Sequence, residues 1–178
     1  MATNFPIRFV SFNMHGYNQS KDYLSSLCSN YDIVFVQEHL LLPSELNLLT
    51  ACAPKFVLFG SSALSSCISR GLMRGRPYGG VAILVRSEMT LKCQLVCCSD
   101  RYVIVKWRDA LLVCVYMPCK GTTNYEDSYR DTIADITAVI HDNVHRWLIC
   151  GGDLNLDFAF SGPMHDVYLN LLAALSYS

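Results

Sequence analysis

A chain of 178 residues that is 52% hydrophobic and 16% charged holds enough apolar mass for one domain with a real core, which excludes an intrinsically disordered segment. Lys+Arg 14 against Asp+Glu 15 leaves a net charge of -1, so there is no overall basic field and any contact with nucleic acid has to be local. The first apolar run is broken by Arg8 and Asn13, and no segment approaches the ~18 apolar residues of a membrane span, so the sequence reads as intracellular, with no membrane contact.

In chain order, "IRFVSF" (7–12) predicts a first strand and 20–30 a helix, with Ser20 as its cap and Tyr23, Leu24, Leu27 and Cys28 on its inner face. Strands follow at "DIVFVQ" (32–37), "KFVLFG" (55–60), "GVAILV" (80–85), "LKCQLVC" (91–97), "YVIVKW" (102–107) and "LLVCVYM" (111–117). Residues 124–144 predict a helix whose apolar face runs through Tyr125, Tyr129, Ile133, Ile136, Ile140 and Val144, leading straight into a strand at "RWLIC" (146–150). A last helix at 164–176 buries Val167, Tyr168, Leu171, Leu172 and Leu175. Several strands are apolar at nearly every position, as in sheets covered on both faces, whereas "KCQLVC" alternates like a half-exposed antiparallel strand. Hairpin-like and crossover connections together give an α/β sandwich, two sheets face to face with helices outside, as one domain over 1–178.

The nine cysteines form no C-x-x-C pair, which argues against a disulfide framework or a zinc knuckle and reads as small buried hydrophobes. The loop "SRGLMRGRPYGG" (69–80) is the one concentration of positive charge, and Arg70, Arg74 and Arg76 are its candidates for phosphate contact, against the plainer reading of a solvated turn.

Polar residues stand at the ends of four apolar runs: Asn13, Glu38, Tyr116 with Pro118, and Asp153 with Asn155. In α/β sheets that edge is where side chains from several strands converge without disturbing the core. Glu38 and Asn13 offer a carboxylate and an amide oxygen, hard donors that suit Mg²⁺ with several waters retained. Read singly, Glu38 is a surface carboxylate and Asn13 a turn residue. In "GGDLNL", extended backbone would turn Asp153 and Asn155 one way, to orient a water and a phosphoryl group, and Leu154 and Leu156 into the core. Gly151 and Gly152 would clear space for a substrate.

The ordered set "SFNMHG", "DIVFVQEHL", "YGGVAILV", "VYMP" and "GGDLNLDF" resembles the endonuclease/exonuclease/phosphatase superfamily, from about residue 7 to residue 158. The wording "QEHLL" and "GDLNLDF" is most similar to the endonuclease domains of non-LTR (LINE-type) retrotransposons. The resemblance implies a four-layer α/β sandwich and a DNA-nicking phosphodiesterase that uses Mg²⁺, with Mn²⁺ as the alternative cation and no small-molecule cofactor. By matching position it implies Glu38, with Asn13 beside it, at the metal, Tyr116 at the scissile phosphate, Asp153 on the attacking water and Asn155 on the phosphate. A nuclear location would follow from action on DNA, a cytoplasmic one otherwise.

The family pattern runs on to a closing Ser-Asp-His segment, and "LNLLAALSYS" carries no match to it. The expectation is therefore a sandwich lacking its C-terminal strands, with turnover impaired or lost and a protein partner covering the incomplete side. His15, near Asn13, and His39, beside Glu38, are the histidines placed to face the site. The alternatives are a non-catalytic remnant that binds nucleic acid or protein, and a phosphatase for a small phosphorylated substrate.

Overall fold

The computed structural model describes residues 6–64, 79–157, 159, 162, 165–169 and 172. Strand β1 (Phe9–Asn13) leads through helix α1 (Tyr17–Asn30) to β2 (Ile33–Gln37). A short helix α2 (Asn47–Ala51) then precedes β3 (Phe56–Ser61) and β4 (Val81–Arg86). Next come β5 (Cys93–Cys98), β6 (Tyr102–Trp107) and β7 (Ala110–Tyr116), and helix α3 (Tyr125–His141) returns the chain to β8 (Trp147–Asp153).

The strands form two four-stranded mixed sheets, ordered β1-β2-β4-β3 and β5-β6-β7-β8. Each sheet holds one parallel pair joined by a helical crossover, β1 with β2 through α1 and β7 with β8 through α3, and its other pairings are antiparallel. Ile33, Phe35, Val81, Ile83, Val85, Val103, Val105 and Leu112 interdigitate between the sheets. Leu24, Val34, Val36 and Leu84 seal the outer face of the first sheet under α1 and α2, and Ile104, Leu111, Val113 and Val115 meet Tyr129, Ile133, Ile136 and Ile140 of α3. This is the helix–sheet–sheet–helix layering expected. Strands that feed both kinds of core are buried at nearly every position, as in β2 and β4, while the edge strand β5 is half exposed.

The far end of the first sheet is tied by Arg86. Its guanidinium donates to Asp32 Oδ1 at 3.1 Å and to the carbonyls of Cys28 and Tyr31 at 3.2 and 2.8 Å, capping the C-terminal end of α1. It also lies 5.0 Å over the Phe56 ring.

Several expectations change. Helix α1 starts at Tyr17, because Gly16 at φ 112 turns the chain, and Ser20 donates to the Met14 carbonyl at 2.6 Å instead of capping. Helix α3 ends at His141, so Val144 lies beyond the inner face and is 87% exposed. Of the last predicted helix, 165–169 and residue 172 are helical. Val167 packs on the α3 core, yet Leu172 is 43% exposed, and Leu171 and Leu175 lie outside the described residues. Cys28 and Cys114 are buried as small hydrophobes, whereas Cys98, Cys119 and Cys150 are exposed.

Candidate active site

Parallel pairing turns both strands of a pair the same way, so their C-terminal ends arrive together. In the first sheet Asn13 stands opposite Gln37, with Glu38 next in sequence, and in the second Tyr116 stands opposite Asp153. Strands β1 and β8 touch across the sandwich, which brings the two ends to one place. Gly151 is what permits this approach: a Cβ there would lie 2.6 Å from the ring of Phe35 in the other sheet. Its clearance therefore serves sheet packing rather than a substrate, and at Gly152 the obstacle to a side chain is Val115 of the neighbouring strand.

Asn13 links the sheets. Its Nδ2 donates to Glu38 Oε1 at 2.7 Å and to Asp153 Oδ2 at 2.8 Å, so the two carboxylate oxygens are no more than 5.5 Å apart, the sum of those lengths. Its Oδ1 accepts from the His15 backbone N–H at 3.1 Å. That oxygen, the atom expected at a metal, keeps a second lone pair beyond this bond. The amide hydrogens face the carboxylates, because two negative groups this close need a donor between them.

Glu38 sits just past β2 at φ 52, and Leu40 follows at φ 55. Left-handed backbone at non-glycine residues costs on the order of 1 kcal/mol each and needs support. The support is a set of main-chain bonds, from Gly16 N–H to Glu38 O at 2.8 Å, Tyr17 N–H to His39 O at 3.0 Å and Leu40 N–H to Gly79 O at 3.1 Å. His39 completes the clamp from inside. It is fully buried, its Nδ1 accepts from Leu41 N–H at 3.1 Å and its Nε2 donates to Ser61 O at 3.1 Å. Burial pushes its pKa down to about 4, so the ring is neutral, and it faces the core rather than the site. His15 does face the site, with Nδ1 3.5 Å from Glu38 Oε2 and its side chain 74% exposed.

Burial, and then the Glu38 charge, push the Tyr116 phenol up to about 12. It is therefore an O–H donor at neutral pH and not a phenolate. The Arg101 guanidinium lies 5.6 Å from its ring centroid and opposes that shift.

Asn155 departs from the extended geometry expected. It is left-handed at φ 48, its N–H donates to Asp153 Oδ1 at 2.9 Å, and its Nδ2 reaches the Met117 carbonyl at 2.7 Å. Short Asx turns of this kind compete with strand geometry once the ladder ends. Both Asp153 oxygens are thereby oriented. Leu154 and Leu156 pack partly buried against the α3 core, as expected. A cleft of about 750 Å³ opens over this corner, lined by Ser11, Asn13, Gln37, Cys119, Lys120, Asp153, Asn155 and Asp157 among others.

Residues 10–169 match the model of the Endonuclease/Exonuclease/phosphatase family. The chain belongs to that family. No curated protein matches it significantly. Among solved structures, this endonuclease/exonuclease/phosphatase chain is similar to an AP endonuclease from Archaeoglobus fulgidus at 14% identity and TM-score 0.68, over 95% of this chain and 71% of that one. It is also similar to the 3' phosphatase NExo from Neisseria, bound to product DNA hairpin, at 16% identity and TM-score 0.70, over 94% and 71%. D. rerio TDP2 complexed with single strand DNA product gives 18% identity and TM-score 0.53, over 93% and 64%. At these identities the likeness speaks for the fold. The chain spans about 71% of the first two neighbours' length and 64% of the third's.

Of the residues singled out in the sequence, Asn13, Glu38, Tyr116, Asp153 and Asn155 come together at this family domain's corner. Arg70, Arg74 and Arg76 lie outside the described residues. Sequence reading missed Gln37 and Lys120. A glutamine ending a wholly apolar strand was a visible signal for the first, and a lysine four residues past Tyr116 for the second.

The donor set fits a hard divalent cation. Glu38 offers a carboxylate oxygen, a hard donor, with the Asp153 carboxylate no more than 5.5 Å away, and no group of three or more His, Cys, Asp or Glu side chains suited to a metal occurs among the described residues. Mg²⁺ accepts few protein ligands and keeps several waters, which leaves room for a phosphate oxygen.

Proposed function

We propose that the chain is a metal-dependent phosphodiesterase-type domain that acts on DNA by nicking a strand. The observation that carries this reading is the Asn13 amide bridging Glu38 and Asp153, two carboxylates from opposite sheets, with Asn13 and Asp153 lining an open cleft. Glu38 would hold Mg²⁺ or Mn²⁺, with Asn13 fixing its carboxylate. The bound cation supplies charge neutralisation at a phosphate oxygen.

The chain's own groups do the rest. Asp153, oriented through both oxygens, takes a proton from the attacking water as the phosphorus–oxygen bond to the leaving strand breaks. Tyr116, kept protonated, donates to a phosphate oxygen as charge develops there, and Asn155 keeps the Asp153 turn closed beside it. Action on DNA is suggested by the ligands of two neighbours, a product DNA hairpin and a single strand DNA product. The "QEHLL" and "GDLNLDF" wording supports the LINE-type assignment within the family. A protein partner would pair with the outer edges of β1 and β8, which have no strand beside them among the described residues.

The test is nicking of supercoiled plasmid by the purified chain, with and without Mg²⁺, beside Asp153→Ala, with Mg²⁺ titrated calorimetrically into the chain and into Glu38→Ala. Weak Mg²⁺-dependent nicking, in keeping with the impaired turnover expected from the sequence, that the Asp153 variant loses is the expected result. A folded chain that leaves the plasmid intact overturns turnover by this chain, and Mg²⁺ binding indifferent to Glu38→Ala overturns the metal assignment.

A further inference from the structure

The cleft beside Asp153 carries one cationic side chain among the described residues that line it, Lys120, and the carboxylates of Asp153 and Asp157. Lys120 is the second residue of a tight turn, Cys119 to Thr122, closed by the Thr122 N–H donating to the Cys119 carbonyl at 3.1 Å. Gly121 follows at φ 95, the left-handed position a type II turn gives to glycine. The chain leading into this turn is fastened to the candidate catalytic segment through Met117, which donates to the Asp153 carbonyl at 2.9 Å and accepts from Asn155 Nδ2 at 2.7 Å. Lys120 is therefore held in register with Asp153, while its own side chain is exposed and makes no hydrogen bond or ion pair among the described residues.

A lysine with no partner among the described residues, in a cleft whose other charged lining groups are carboxylates, offers the positive charge that a polyanion needs there. The cleft is also larger than one phosphate needs. We propose that Lys120 seats a backbone phosphate of DNA next to the reacting one, which the cation at Glu38 and the Tyr116 hydroxyl would hold. This rests on the phosphodiesterase reading above and names a polynucleotide, rather than a small phosphate ester, as the substrate the cleft is built for. Lysine acts here as a point charge, so its contribution is independent of base sequence.

The experiment is fluorescence anisotropy of a short duplex oligonucleotide binding to the full chain in Ca²⁺, across a salt series. The variants are Lys120→Gln, Lys120→Arg and Lys92→Gln; Lys92 is exposed and ends the 3₁₀ turn before β5, away from the cleft. Lys120→Gln is expected to lower the salt slope of log affinity by about 0.9, so that its deficit against the parent shrinks about 3.5-fold between about 50 and about 200 mM salt. Lys120→Arg and Lys92→Gln keep the parent slope. A parent that binds while Lys120→Gln keeps its slope, or while Lys92→Gln loses as much, overturns this proposal alone. A folded parent that binds no duplex overturns the action on DNA and this proposal with it.

Discussion

Replacing Asn13 by alanine removes the donor that holds Glu38 and Asp153 together across the sandwich. Two hydrogen bonds to charged acceptors disappear, of 2.7 and 2.8 Å. Such bonds contribute about 1.5–3 kcal/mol each, but Glu38 keeps 20% of its side chain exposed, and water replaces part of what is lost. A net cost of about 2 kcal/mol follows, or about 4–8 °C in Tm for a domain of this size. Repulsion adds to it, because at an effective dielectric of about 20 two charges no more than 5.5 Å apart oppose each other by roughly 3 kcal/mol or more until they separate. The assay is urea and thermal unfolding of the parent and of Asn13→Ala, in chelator and in saturating Mg²⁺. A cation held at Glu38 would offset that carboxylate's charge, so the loss in Mg²⁺ should be less than half of that in chelator. Asn13→Asp, with a third negative charge, should be weaker still in chelator and gain more from Mg²⁺. A cost under about 0.5 kcal/mol in chelator, or one that Mg²⁺ leaves unchanged, would refute the bridging role.

His39 is neutral in the fold, with its pKa lowered from 6.5 to about 4, so between those values the unfolded chain binds a proton that the folded chain does not. Its stabilisation is complete above pH about 6.5 and falls by on the order of 3 kcal/mol as pH drops to about 4; urea unfolding across that window should show a flatter acid limb in His39→Gln. Gly80→Ala would drive a methyl group into the His39 ring at a backbone φ of 91, so unfolding should show a loss of at least about 2 kcal/mol, with Glu38-dependent metal binding weakened in calorimetry. Tyr116→Phe should keep stability within about 1 kcal/mol yet lower nicking by at least about tenfold, because it removes an O–H donor and little packing.

All eight strands and the two long helices were legible from apolar runs of strand length and a helical period, since both signals are local and each run was bounded by its own turn residues. Asn13, Glu38, Tyr116, Asp153 and Asn155 were legible as polar residues interrupting apolar strands at their ends. Their joint meaning was not, because it depends on which strand ends face each other. Only the tertiary structure decided that the two parallel pairs meet at one corner, that Asn13 turns its amide hydrogens rather than its oxygen to Glu38 and Asp153, and that His39 faces the core. Partners 140 residues apart, such as Asn13 and Asp153, leave no trace in local periodicity. The left-handed turns at Glu38 and Asn155 run against local preference and persist because main-chain and side-chain hydrogen bonds from distant segments hold them. Strand and helix thus follow from what each residue prefers beside its neighbours in sequence, and the site from what two sheets impose on each other where they close.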